Sequence, residues 1–223
     1  MAPLVAMSCI KSEDETAITP ASAPTTGTCK LTDSEEVGPF PLYEKRDASI
    51  THADITEGKT GTPLRVALTI RNVNNNCTVV ANATVVIWHC DKDGYYSGYV
   101  NQGYLGTQDN KAKTFCRGLA PTDADGVARF QTIYPGWYSG RATHIHAQIY
   151  VGGKLKLSTQ MAFPEDINTL VHNTDLYKGH GQNTTRNTSD QVFRDSLPGD
   201  LATVIENKTN GGYDLTHNIF IAV

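Results

Sequence analysis

The chain has 223 residues, of which 39% are apolar and 19% charged, with a formal net charge of −4. That length suits one domain with a real core, and the acidic balance excludes the electrostatic footprint of a nucleic-acid or anionic-membrane binder. No apolar run approaches the ~20 residues that a membrane-spanning helix needs.

Met1 to Met7 is apolar but too short for a secretion signal. Asn-x-Ser/Thr triplets at Asn76, Asn82, Asn183, Asn187 and Asn207 favour a secreted chain whose signal is absent here. The cysteines, Cys9, Cys29, Cys77, Cys90 and Cys116, lack the C-x-x-C pairs of a zinc or redox site. In an oxidising compartment they are expected to form at least one disulfide. Residues 1–35, rich in Ser, Thr, Pro and acids, read as a flexible tail, and residues 36–223 as the folded domain.

Strands dominate the domain. Leu64, Val66, Leu68 and Ile70 alternate with Arg65, Ala67, Thr69 and Arg71, the period of a half-buried strand. Asn72 to Asn76 read as a turn, and Ala83 to Cys90 as a strand buried on both faces. Asp123 to Gly126 make a turn rather than a calcium loop, and Val127 to Ile133 the next strand. His144–Val151 and Leu155–Phe163 flank Gly152-Gly153, and Asn218–Val223 closes the chain. Short helices are expected over Pro164–His172 and Ser189–Ser196, the second stopped by Pro198-Gly199. The fold class is all-β, an antiparallel β-sandwich with short helices and long loops.

Two hairpin registers are open after Val151. A two-residue turn pairs Val151 with Lys154 and sets Gln160 opposite Ile145. A three-residue loop pairs Val151 with Leu155, aligns Ile149, Ala147 and Ile145 with Leu157, Thr159 and Met161, and brings Gln160 beside His146. A one-residue slip flips a whole face, so burial favours the second register.

His144-Ile145-His146 is the sharpest local feature, because residues i and i+2 of a strand share a face. Paired neutral imidazoles suit a metal, but copper, zinc and iron all use such pairs. No Asp or Glu follows closely; the next are Glu165 and Asp166. Tyrosines are abundant, and a phenolate is a hard donor that suits Fe(III). Trp88 reads as core and His89 as a satisfied strand histidine. His52, His172, His180 and His217 read as surface or loop residues, and Tyr99, Tyr104 and Tyr134 as core or pocket residues rather than ligands.

Three segments together resemble the intradiol ring-cleavage dioxygenases. They are Ile87-Trp88-His89-Cys90-Asp91-Lys92-Asp93-Gly94-Tyr95-Tyr96-Ser97; Thr122 to Gly126 followed by Ile133-Tyr134-Pro135-Gly136-Trp137-Tyr138; and Gly140-Arg141-Ala142-Thr143-His144-Ile145-His146 with Thr159-Gln160 downstream. Gly38-Pro39-Phe40 and Asp54-Ile55 extend the match, which spans roughly residues 36 to 166. The resemblance implies an Fe(III) cofactor held by Tyr96, Tyr138, His144 and His146, with Tyr138 and His144 axial and Tyr96 and His146 equatorial. It implies a catalytic Arg141 that stabilises charge on the ring, a Gln160 that holds Arg141 and the substrate region, and a Tyr138 that takes up a substrate proton. Catechols or other phenolics and O2 would be the substrates, and muconate-type diacids the products. Ala142 departs from the family pattern, which has Pro there. Cytosolic relatives that cleave catechol carry an N-terminal helical segment for pairing, and the short stretch before Gly38 leads us to expect a monomer with no nucleic-acid or membrane partner. Two other classes remain open: a non-catalytic β-sandwich binding module, and a copper or zinc oxidoreductase using the same His pair.

Overall fold

The structure, a computed structural model, describes residues 18–22, 29–42 and 49–223. Two sheets face each other. The first holds β1 (Pro63–Asn72), β2 (Thr78–Val79), β7 (Val127–Ile133), β10 (Thr203–Asn207) and β11 (Gly212–Ile221), with β1 between β11 on one side and β7 and β2 on the other. The second runs in the order β6 (Arg117–Pro121), β3 (Thr84–Trp88), β8 (His144–Val151) and β9 (Lys154–Ala162). A separate hairpin joins β4 (Val100–Gly103) to β5 (Gly106–Asp109). Between the sheets lies the main core, with Leu64, Val66, Leu68, Ile70 and Phe130 from one sheet and Val85, Ile87, Ile145, Ala147 and Ile149 from the other. Period-two alternation on β1 and β8 drives those side chains inward together.

The all-β sandwich is as expected, with one topological difference: β1 and β11 run parallel. The β8–β9 hairpin combines the two registers considered above. Gly152 and Gly153, with φ of 56° and 75°, form a two-residue turn that pairs Val151 with Lys154. Such a turn matches the strand twist and needs positive φ at both positions. A bulge between Ile149 and Tyr150 on one side and Leu155 and Leu157 on the other then shifts the register by one residue. From there inward Ile149 faces Leu157, Ala147 faces Thr159, Ile145 faces Met161 and His146 faces Gln160.

Helix α1 (Glu165–His172) forms where expected, with Pro164 just ahead of it. The helix expected over Ser189–Ser196 does not form: those residues make turns, and α2 (Leu197–Asp200) follows instead. Pro198 sits in the first turn of α2, where its missing N–H is not needed. Asp190 folds inward here, its side chain accepting the N–H of Val192 at 2.8 Å. Two histidines expected at the surface are buried, His172 in α1 and His217 on β11, while Tyr104, expected in core or pocket, is exposed.

The expected tail is, in its described part, tied to the sandwich. Ile18 packs on Ala67 and Val127, and Cys29 is bonded to Cys77. The Thr32 N–H donates to the Phe220 carbonyl at 3.0 Å and the Glu35 N–H to that of Ser158 at 2.9 Å. Cys90 and Cys116 are buried free thiols; Cys9 lies outside the described residues.

Candidate metal centre

The site forms where β3 and β8 end side by side. Val86 and Trp88 point away from the main core and pack with Cys90 and Tyr96 in a second cluster. Trp88 pairs with His146 across the strands, and its indole lies parallel to the imidazole at 4.8 Å. Beyond β3 the chain turns around Asp91, whose Oδ1 accepts the N–H groups of Asp93 and Tyr95 at 3.0 and 2.9 Å. This local side-chain turn sends consecutive tyrosines apart. Tyr95 packs with Phe115, Cys116 and Ile133 and donates its hydroxyl to the Gly106 carbonyl at 2.8 Å. Tyr96 points into the site, its backbone clamped by the Asn101 amide at 3.1 and 2.7 Å. The Gly136 N–H donates to the Asp91 carbonyl at 3.1 Å and so draws the segment carrying Tyr138 against the same turn.

Four side chains thereby converge. The Nε2 atoms of His144 and His146 lie 3.1 Å apart, and the Tyr96 hydroxyl lies 3.2 Å from His144 Nε2. The Tyr138 ring stands 5.7 Å from that of Tyr96 and 5.6 Å from that of His144. His144 Nδ1 is 2.6 Å from the Ala142 carbonyl, so Nδ1 carries the proton and Nε2 presents its lone pair. His146 Nδ1 is buried without a hydrogen-bond partner among the described residues. Burial, with Arg141 adding to it, pushes His144 down to about 3, and burial with the His144 charge pushes His146 well below its ordinary range. Both imidazoles are therefore neutral, the form that binds metal.

This arrangement fits a metal ion. Two donors held ~2.1 Å from one first-row ion at right angles lie ~3.0 Å apart, close to the two separations found here. A ligand histidine also characteristically donates its other N–H to a carbonyl, as His144 does. Among the described residues no group of three or more His, Cys, Asp and Glu could hold a metal; the further oxygens beside the histidine pair are those of Tyr96 and Tyr138. Burial raises Tyr96 well above the ordinary phenol range and raises Tyr138 as well, with Arg141 opposing both. A phenolate here needs a bound cation, whose charge reverses that penalty.

Arg141 borders the cluster and is 7% exposed. Its Nε donates to both oxygens of Asp190, at 2.9 and 3.2 Å, and its Nη2 donates to Gln160 Oε1 at 2.6 Å. Gln160 in turn donates to the Glu36 carbonyl at 2.7 Å, tying the N-terminal strap to the site. The strap continues over the donors: Phe40 stacks on Tyr96 at 4.5 Å, and a Cβ on Gly38 would stand 2.9 Å from His146 Cε1. Only glycine allows so close an approach. A cleft of about 660 Å³ between the Lys30–Asp33 strap and His217 to Phe220 lies apart and shares none of these residues.

The six residues singled out from sequence, Tyr96, Tyr138, Arg141, His144, His146 and Gln160, thus lie in one neighbourhood. Sequence reasoning missed Asp190, which also accepts the Ala142 N–H at 2.6 Å, and the stacking roles of Trp88 and Phe40. Phe40 had a signal in Gly38-Pro39-Phe40; Asp190 had none. His89 is satisfied as expected, with Cys90 O and Thr132 Oγ1 each at 2.8 Å.

The family described as Dioxygenase matches residues 39–192. The chain is 33% identical over 140 residues to the protocatechuate 3,4-dioxygenase beta chain of Burkholderia cepacia, covering 56% of this chain and 57% of that one. It is 28% identical over 119 residues to a chlorocatechol 1,2-dioxygenase of Cupriavidus pinatubonensis, covering 45% and 43%. The chain spans about half the length of these curated relatives. An intradiol ring-cleavage dioxygenase from Tetranychus urticae superposes with a TM-score of 0.76 at 25% identity, over 87% of this chain and 95% of that one. The chain belongs to the intradiol ring-cleavage dioxygenase family.

Proposed function

We propose that this chain is an Fe(III)-dependent intradiol dioxygenase that opens catechol-type rings between the two hydroxyl-bearing carbons and delivers both atoms of O2 into a muconate-type diacid. The observation that carries this reading is the convergence of two neutral, lone-pair-bearing histidines and two tyrosines beside a buried, braced arginine. Tyr96, Tyr138, His144 and His146 would hold the ion. When bound, Fe(III) supplies Lewis acidity and a template for the substrate oxygens.

The remaining roles fall to the chain itself. Tyr138 is half-buried whereas the other three donors are buried, so its oxygen, once a bound cation holds it as phenolate, would be the natural acceptor for a proton leaving an incoming catechol and would return to the neutral phenol. Arg141 presents a fixed positive charge to the ring as negative charge develops there. Asp190 and Gln160 keep the guanidinium plane from turning. The Trp88 and Phe40 faces hold His146 and Tyr96 in place and keep water from the donors. The Cys29–Cys77 bridge supports a secreted chain, and we take it to act as a monomer, to be checked by light scattering.

A visible spectrum of the iron-loaded protein together with O2 uptake over a panel of catechols tests the reading. Tyrosinate bound to Fe(III) gives a strong visible band that a copper or zinc site, or a binding module, does not. A colourless, iron-free protein that consumes no O2 with any catechol would overturn it.

A further inference from the structure

The five Asn-x-Ser/Thr triplets divide into two groups in the fold. Asn76 and Asn82 are exposed and sit in left-handed turns on either side of β2, with φ of 48° and 58°. The other three are buried, and their amides are engaged. Asn183 donates Nδ2 to the Arg141 carbonyl at 2.8 Å and accepts the Thr185 N–H at 2.9 Å. Asn187, 3% exposed, donates to the Phe163 carbonyl at 2.8 Å. Asn207 donates to Asp214 Oδ1 and accepts the Thr209 N–H, both at 3.0 Å.

Strand register and hydrogen bonding place Asn76 and Asn82 at the pole opposite Asn183 and Asn207. Trp88 pairs with His146 and Thr84 with Tyr150, so Thr84 lies ~13 Å along the strand from the metal centre, at ~3.3 Å per residue, with Asn82 beyond it. On β1 the Pro63 end pairs with Ile133, from which the chain runs to Tyr138, whereas the Asn72 end leads to Asn76. Asn183 hydrogen-bonds the site's own Arg141, and Asn207 pairs with Gly212, beside Pro63. The exposed acceptors thus crown the pole away from the site.

We propose that Asn76 and Asn82 carry N-linked oligosaccharides in the folded protein, and that Asn183, Asn187 and Asn207 do not. In the transfer, the asparagine Nδ2–sugar C1 bond forms as the C1–O bond to a diphosphate-activated sugar donor breaks. The diphosphate leaves with the electron pair and Nδ2 gives up one proton. The Cys29–Cys77 bridge belongs to the oxidising route in which this modification occurs. An oligosaccharide on any of the three buried amides would displace a packed neighbour and open a buried hydrogen bond, so chains modified there do not reach this fold. Sugars at the far pole leave the approach to the metal centre clear and shield the Cys29–Cys77 region.

The test is secretion of the full chain from a eukaryotic host behind a host leader. The glycans are then removed enzymatically in heavy-oxygen water, which leaves labelled aspartate at each former glycan, and the peptides are read by mass spectrometry. Label at 76 and 82 alone is the expected result. Label at 183, 187 or 207 in the monodisperse secreted protein, or its absence from either 76 or 82, overturns the proposal. Asn76→Gln and Asn82→Gln should each raise electrophoretic mobility by one glycan, additively, without changing O2 uptake. Failure of either shift also overturns it.

Discussion

Replacing Asp190 with alanine would strip several buried donors of their acceptor at once. Asp190 is fully buried and receives Arg141 Nε at 2.9 and 3.2 Å, the Ala142 N–H at 2.6 Å and the Val192 N–H at 2.8 Å. Burial alone would raise its carboxyl; the Ala142 N–H, the Arg141 charge and the Val192 N–H outweigh that and hold it below the ordinary range. An arginine does not give up its proton, so the alanine variant leaves a buried cation leaning on the neutral Gln160 amide. Breaking such a pair from one side costs about 3–5 kcal/mol, and each orphaned N–H about 1–3 kcal/mol. The total rivals the ~5–15 kcal/mol that holds a domain together, so Asp190→Ala should yield little folded protein. Asp190→Asn keeps one acceptor oxygen and the shape, and should fold with a loss of about 1–3 kcal/mol. Urea unfolding measures the loss, and steady-state kinetics on the iron-loaded enzyme should show kcat falling more than KM rises, because Arg141 is no longer held square to the ring. An Asp190→Asn protein within about 0.5 kcal/mol of the parent, the range of an ordinary surface change, and with its kcat intact would refute the bracing role.

Arg141→Ala should lower kcat by about 10²–10³, the effect of removing one preorganised charge-stabilising group, while the visible iron band persists; an unchanged kcat would leave the arginine structural. Tyr138→Phe should retain part of the iron, read by metal analysis, yet lose colour and rate together, and an intact band would exclude Tyr138 as a ligand. Two buried groups outside the donor set should tilt stability with pH in opposite directions. Burial, with Glu35 and Asp33 adding to it against Ser196 and Lys30, raises Asp200 to about 7. An unfolded Asp ionises near ~3.9, so the unfolded chain releases this proton first, and stability falls as pH rises from about 4 to about 7. Asp200→Asn should abolish that fall in urea midpoints taken across the window. Burial lowers His217 to about 4, so the unfolded chain, with a His near ~6.5, takes up a proton first and stability falls as pH drops through that interval. His217→Gln should remove this second slope, and a variant that keeps its parent's slope assigns the effect to other groups.

What could be read from the sequence was what depends on short-range rules. His144 and His146 share a face because strands alternate, and Val86 and Trp88 leave the core for the same reason. The inner register of β8 and β9 followed from matching apolar faces, but the turn did not. A three-residue loop and a two-residue turn followed by a bulge place the extra residue differently and reach the same pairing of His146 with Gln160. Face matching is blind to where that residue sits; the positive φ of Gly152 and Gly153 decides it. Asp190 was illegible for a different reason. It follows Ser189 at what reads as a helix start, and its partner Arg141 lies 49 positions away. His172 and His217 carry no sequence sign of burial, because a neutral imidazole is compatible with either environment.

The departure at Ala142 from the family's pattern in the third motif makes physical sense once Asp190 is in view. A proline at position 142 would fix φ and stiffen the approach to His144, but it has no N–H to donate. Ala142 gives up that stiffness and gains the 2.6 Å bond to Asp190, while its carbonyl fixes the His144 tautomer from the other side. The same Asp190 oxygen accepts Arg141 Nε at 2.9 Å, so one carboxylate sets both the arginine and the backbone that leads into the histidine pair. The rigidity a pyrrolidine ring would supply locally is here supplied by a contact across the fold. Arg141 and His144 are therefore linked through Asp190, and a disturbance of that carboxylate reaches the guanidinium and the first histidine of the pair together.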